Sequence, residues 1–420
     1  MMTRFSSFSM ALLGTVALNL AASDWPQFRG PNRDGISDEK TISTDWPADG
    51  PARLWKAAVG TGSAPVSVAA GRVYTMGHSG GMDNVFCLDA ATGKEIWKQS
   101  FPGELFSSMH EGGPAATPTV DGKFVFAQFR NGELRCLDSE SGKEVWIHKL
   151  KEHRAKPPMF GFTSAPLVHG KNLIVSAGGA GQSCMALDKA TGKGVWQSGD
   201  DDVSYASPVI MKLAERSYAV IFNSVALVIF DAENGVEVAR HGWLTASPMN
   251  SRINAATPIV IGDSIYIGSG YGKGSAFLKL VPPATPKAAG ALTVLWENES
   301  FQPQYGSPIS VSGCIYGFDA DAGGGDSSGR LICVDVKTGA EKWAQTNPGL
   351  GALIIAGGKL LILSRRGELI LAEASPDKYT ELKRAHIVGG LCRGEPVLCD
   401  GRIYVRSVTG ELVCLDATKK

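Results

Sequence analysis

The feature that most constrains this chain is a motif that keeps returning: Asp-x-x-Thr/Ser-Gly, with a Trp four residues beyond the Gly. It stands at Asp89 to Trp97, Asp138 to Trp146, Asp188 to Trp196 and Asp335 to Trp343. Upstream of each copy lie a small residue followed by Pro, as at Ala64-Pro65, Thr117-Pro118, Ala165-Pro166 and Ser307-Pro308, and then a Gly-led apolar run such as Gly71-Arg72-Val73-Tyr74. Degenerate copies begin at Ser207-Pro208 and Thr257-Pro258, the second of these carrying Leu295-Trp296. A worn copy keeps only Gly358-Lys359-Leu360-Leu361 and Gly367-Glu368-Leu369, and a last one runs from Glu395-Pro396 to Asp416. Self-similarity at a period of about 40–55 residues marks a repeat architecture.

Within each copy four short runs have strand composition. Asp121-Gly122 and Asp400-Gly401 separate the first two runs as hairpin turns do. The Asp-x-x-Thr-Gly segment separates the third and fourth, with Asp or Thr hydrogen-bonding the turn backbone and Gly supplying a positive φ. Four antiparallel strands per repeat predict an all-β chain, an eight-bladed β-propeller; seven blades is the alternative, since the seventh copy lacks both landmarks. No Gly-His or Trp-Asp dipeptide recurs as in WD40 repeats. The eighth copy stops before its fourth strand, while an unmatched strand, 53–58 with Trp55, precedes the first copy. That N-terminal strand is expected to complete the eighth blade and close the ring, leaving only short protected edges.

Lys+Arg and Asp+Glu both number 41, so the formal net charge is zero. This excludes the basic excess that nucleic acid requires and disfavours adhesion to a charged membrane surface. Arg4 is the only charge before Asp24, an apolar stretch is centred on Met10 to Leu20, and Leu20-Ala21-Ala22-Ser23 suits cleavage. Residues 1–22 read as a signal peptide, 23–51 as an extended segment and 52–420 as the propeller. The expected product is exported, periplasmic or secreted, and monomeric. No segment is long and apolar enough for a confident membrane span.

With the repeat in hand, the chain resembles the pyrroloquinoline-quinone (PQQ)-like propeller family from about residue 52 to the C-terminus. Asp24-Trp25-Pro26-Gln27-Phe28-Arg29-Gly30-Pro31 is similar to the mature N-terminus of secreted bacterial members. The resemblance implies that Trp55, Trp97, Trp146, Trp196, Trp296 and Trp343 pack between blades. It also implies two functional classes: quinoprotein dehydrogenases, and non-enzymatic members such as a propeller subunit that assists outer-membrane β-barrel assembly. The enzymatic members carry an adjacent Cys-Cys disulfide beside the quinone and a Glu/Asn/Asp calcium set. This chain has no Cys-Cys dipeptide, and no calcium ligand carries over.

Strand parity places the loops leading into strand one and the loops joining strands two and three on one face. His110, Glu111, Tyr205, Arg252, Asn254 and Tyr305 fall in the first set. His78, Arg130, Arg365 and Arg406 fall in the second. These ten form the candidate ligand or partner face, with no catalytic residue assigned. His110-Glu111 is its most pointed pair, read as surface loop. Asp319, Asp321 and Asp326 have spacing that suits Ca²⁺, but the loop lacks the closing Glu of an EF-hand and reads as a flexible acidic loop. Gly268 to Gly274 reads as a turn. Cys87, Cys136, Cys333 and Cys414 share one slot and read as packing positions, while Cys392 and Cys399, flanking one strand, make the best local disulfide pair.

The expected function is a non-enzymatic propeller presenting one loop-rich face to an envelope protein or polysaccharide. The alternative is a PQQ-dependent dehydrogenase of alcohols or sugars; PQQ and Ca²⁺ have no supporting catalytic residues, and no cofactor is assigned.

Overall fold

The computed structural model describes residues 24–106, 111–153, 155–246, 252–285, 288–320 and 329–418. The segment read as a signal peptide lies outside them, as do His110, Asp321 and Asp326.

Eight antiparallel sheets form the ring. Blade 1 takes residues 67–102, blade 2 119–149, blade 3 167–198, blade 4 209–242, blade 5 259–298 and blade 6 309–345. Blade 7 takes 351–386; blade 8 joins 397–416 to the N-terminal strand Arg53–Ala58. That strand pairs antiparallel with Glu411–Asp416, from Arg53 opposite Leu415 to Ala58 opposite Glu411. The ring therefore closes through the N-terminal strand, with eight blades and not seven. The worn copy is a complete blade: its Leu and Ile residues fill three buried strands although its Pro and Trp are lost.

The repeated motif explains how neighbouring blades join. Each of the six blade Trp sits on an outer strand beside a bulge, as between Glu144 and Trp146, and reaches the turn between strands three and four of the next blade, which in most blades carries the repeated motif. Trp97 Nε1 donates to the Ser139 carbonyl at 3.1 Å and Trp146 Nε1 to that of Lys189 at 3.1 Å. The turn Gly is needed twice over: Gly142 has φ +72°, and a Cβ there would stand 2.7 Å from the Trp97 ring. Blade 4 has no Trp on its outer strand, and blade 5 correspondingly lacks the Gly turn. There, Gly290 lies over Val238 instead.

The first strand of each blade lines the central channel. Such an inner edge carries unpaired backbone groups. Because seven blades lead into it with X-Pro, donors are missing and carbonyl acceptors are in excess. Residues 24–37 answer that excess. They hook into the channel from the side of the strand one–two turns, where Asp24 accepts a bond from Ala70 N and Trp25 bridges to Val68. Arg29 donates to the carbonyls of Ser307 (2.9 Å) and Pro308 (2.7 Å). Arg33 donates to those of Ala165 (3.2 Å), Pro208 (3.0 Å) and Pro166. Ile36–Ser37 then adds a parallel fifth strand to blade 7, beside Ile355 and Ala356.

Candidate functional site

With the channel filled from one side, its other end is a blind cavity of about 440 Å³ that opens on the loop-rich face. Phe28, at the tip of the hook, lines its floor. The walls come from the residues just ahead of strand one in the blades, and from three loops joining strands two and three. Those loops contribute Arg130, Tyr271 and Arg365.

Five of the ten candidate face residues meet here: Glu111, Arg130, Tyr205, Tyr305 and Arg365. Tyr305 is the centre of the cationic side. The Arg365 guanidinium lies 5.8 Å from its ring centroid and that of Arg393 lies 5.6 Å away. Glu111 Oε1 stands 3.1 Å from Arg393 Nε. On another wall Phe160 and Tyr205 pack with ring centroids 5.6 Å apart. Arg130 is anchored by its donations to the carbonyls of Gly113 (2.9 Å) and Phe160 (2.8 Å), which tie blade 2 to the loop entering blade 3. Burial pulls its pKa down to about 10; it stays charged at neutral pH.

The other candidates are used elsewhere. His78 is buried against Asp83, with Nδ1 to Oδ1 at 2.8 Å, and burial raises the Asp83 carboxyl above its usual range. Asn254 is buried, donating to the Asn223 carbonyl at 2.7 Å and accepting from Ser269 Oγ at 2.7 Å, a brace between blades 4 and 5. Arg406 is buried as well and donates to Ala64 O, Thr75 Oγ1 and Met76 O, joining blade 8 to blade 1. Arg252 is exposed beside the cavity and does not line it. Asp319, the one member of the acidic trio among the described residues, accepts from Gln302 N and pairs with Arg330 at 2.8 Å.

Sequence reasoning did not single out Phe28, Phe160, Tyr271, Gln304, Arg393 or Glu395, all of which line the cavity. A signal for Glu395 was present: its repeat position holds Ala64, Thr117, Ala165, Ser207, Thr257 or Ser307 in six other blades. A carboxylate among small residues at an inward-facing slot marks a departure from pure packing. Glu395 sits above Arg29; burial raises its carboxyl and the Arg29 charge opposes that. Burial likewise lowers Arg29, and it brings Arg33 down to about 9.

All eight cysteines are buried and none is in a disulfide, so Cys392 and Cys399 are not joined. None lines the cavity. Among the described residues no group of three or more His, Cys, Asp or Glu is placed to hold a metal ion. Among the described residues the cavity thus shows neither the disulfide nor a three-membered His, Cys, Asp or Glu cluster beside it.

Eight four-stranded blades, inter-blade Trp latches and a one-ended axial cavity define a PQQ-like repeat propeller. The chain belongs to the family whose model is described as outer membrane protein assembly factor BamB, which matches residues 43–156 and 107–345. No curated protein matches the sequence. Among solved structures, BamB from Moraxella catarrhalis is similar at 16% identity and a TM-score of 0.64, over 87% of this chain and 99% of that one. A quinohemoprotein alcohol dehydrogenase from Pseudomonas putida HK5 is similar at 14% identity and a TM-score of 0.62, over 95% and 81%. A computationally designed protein, Ika8, is similar at 11% identity and a TM-score of 0.56, over 90% and 99%. At these identities the likeness is one of fold.

Proposed function

We propose that this chain is an exported, non-enzymatic binding propeller of the cell envelope, which presents its loop-rich face to a protein or polysaccharide partner. The observation that carries the reading is the blind cavity: it gathers arginines and aromatic rings on the loop-rich face, and the opposite end of the channel is filled by the chain's own residues 24–37. A fixed ring that gathers arginines and aromatic rings at one mouth suits recognition, since such side chains dominate binding hot spots. Among the described residues, neither a disulfide nor a cluster of three or more His, Cys, Asp or Glu lies at that mouth.

Affinity capture from the native envelope fraction tests this reading. The wild-type chain should retain a partner that is lost when Tyr305→Ala alters the mouth, and kept when Lys378→Glu alters an outer turn. Loss on the outer-turn change alone, or retention by both variants, would place the partner elsewhere. Export has its own check: the mass of the exported product should correspond to an N-terminus at Ser23 or Asp24, and an intact Met1 would contradict it.

A further inference from the structure

Resting on that reading and narrowing it, we propose that the cavity binds the carboxylate-bearing terminal sugar of an acidic glycan, with Arg393 as the carboxylate-binding residue.

Arg393 is placed for such a ligand. Its side chain is 24% exposed, at the mouth, and its guanidinium is steadied by the Tyr305 ring at 5.6 Å. Glu111 approaches Nε at 3.1 Å, yet Nε makes no aligned hydrogen bond. The contact is one of charge, on one edge of the fork. A planar guanidinium meets a carboxylate through two parallel N–H bonds, a match that lysine does not offer. Arg365, on the same tyrosine ring at 5.8 Å, adds positive potential. Low-dielectric walls concentrate that field on an entering anion.

The rest of the cavity suits a sugar. Phe160 and Tyr205 are half-buried and line the cavity as a packed aromatic pair, apolar surface against which the C–H face of a pyranose can pack. The rest of the lining mixes the hydroxyls of Ser63 and Thr163 with small apolar side chains such as Ala115 and Ala255, and a hydroxyl can both donate and accept. A volume of about 440 Å³ is in the range of small-molecule sites. Because the floor is closed by the hook, a chain cannot thread through; an end group enters, and the glycan leaves through the mouth.

Calorimetric titration of the full chain decides the matter. The probes are trigalacturonate, its methyl ester, monogalacturonate and an Asp-rich peptide ending in a free carboxylate. Trigalacturonate should bind saturably, and esterification should weaken it at least about tenfold. Arg393→Gln should cause a similar loss at an unchanged melting temperature, with Arg393→Lys in between. If Arg393→Gln does not fold, Arg365→Gln and displacement by added salt read the same charge dependence. Monogalacturonate binding as well as the trimer identifies the end group as the recognised unit; tighter trimer binding adds contacts at the mouth, and both agree with the proposal. It is overturned if the ester binds equally, if Arg393→Gln binds like the parent, if trigalacturonate does not bind, or if the peptide binds more tightly. Failure here with partner capture intact leaves the binding propeller standing with a protein partner.

Discussion

Trp55 Nε1 donates to the carbonyl of Ala90 at 3.0 Å, and a Cβ on Gly93 would lie 2.6 Å from the Trp55 ring. This joins the first blade strand of the chain to blade 1 across the ring's seam. It repeats the bonds of Trp97 to Ser139, Trp196 to Ala232 and Trp296 to Val336. The seam is therefore an ordinary blade contact. Truncating a buried Trp to Ala costs about 3–5 kcal/mol. Trp55→Ala should lower stability about as much as Trp146→Ala, read as urea midpoints. A Trp55 variant that unfolds with the parent would show that the seam contributes nothing to holding the ring.

The turn glycines make a sharper version of the same test. Gly142 combines φ at 72° with the Trp97 ring in the space a Cβ needs. Gly142→Ala should cost about 1–3 kcal/mol from backbone strain and displaced ring together. Gly122→Ala has a similar φ, 55°, but nothing within 4 Å. It should cost less, and equal losses at the two positions would remove the latch from the explanation.

Filling of the channel rests on Arg33, whose guanidinium serves carbonyls from blades 3 and 4. Arg33→Met keeps bulk and strands those acceptors, each worth about 1–3 kcal/mol when buried unpaired. The hook should loosen, so residues 24–37 should become the first site of limited proteolysis. If the variant is as protease-resistant as the parent, the carbonyl excess is not what holds the hook.

Much of this was legible beforehand because repetition amplifies weak signals. Ala64-Pro65 alone says little; seven X-Pro pairs at matched spacing fix strand one of seven blades. The unmatched Trp55 fixed the closure by the same logic. The site was only half legible, because convergence on the axis depends on which loop residues point inward. Arg406 ends strand two where Gln128 stands in blade 2, and Arg130 lies two residues further on in its loop; Arg130 reaches the cavity while Arg406 is spent on Ala64, Thr75 and Met76. The hook was invisible for a different reason: Arg29 and Arg33 bind backbone carbonyls, and a carbonyl leaves no trace in sequence.

The repeat turns also set an acid limit. Asp89, Asp138 and Asp188 each accept a side-chain hydroxyl bond, from Thr92, Ser141 and Thr191, and a backbone bond beside it. These bonds hold their carboxyls below the usual range. A lowered folded value gives stability that is present above the unfolded Asp value, about 4, and is lost as pH falls through the folded one. Glu395, raised by burial, has the opposite sign and is common to both proteins compared. The triple Asp→Asn variant should be less stable than the parent at pH 7, and that gap should narrow as the pH falls below about 4, read from urea midpoints. A gap that persists or widens in acid would contradict the assignment.

The central claim, a binding propeller and not a quinone enzyme, is tested most directly by alcohol- and sugar-dependent dye reduction after the purified chain is mixed with PQQ and Ca²⁺. With no disulfide at the cavity and no metal-ligating group among the described residues, the account predicts no substrate-dependent reduction above that of free PQQ and Ca²⁺. A saturable quinone absorbance shift accompanied by substrate-dependent dye reduction would contradict it.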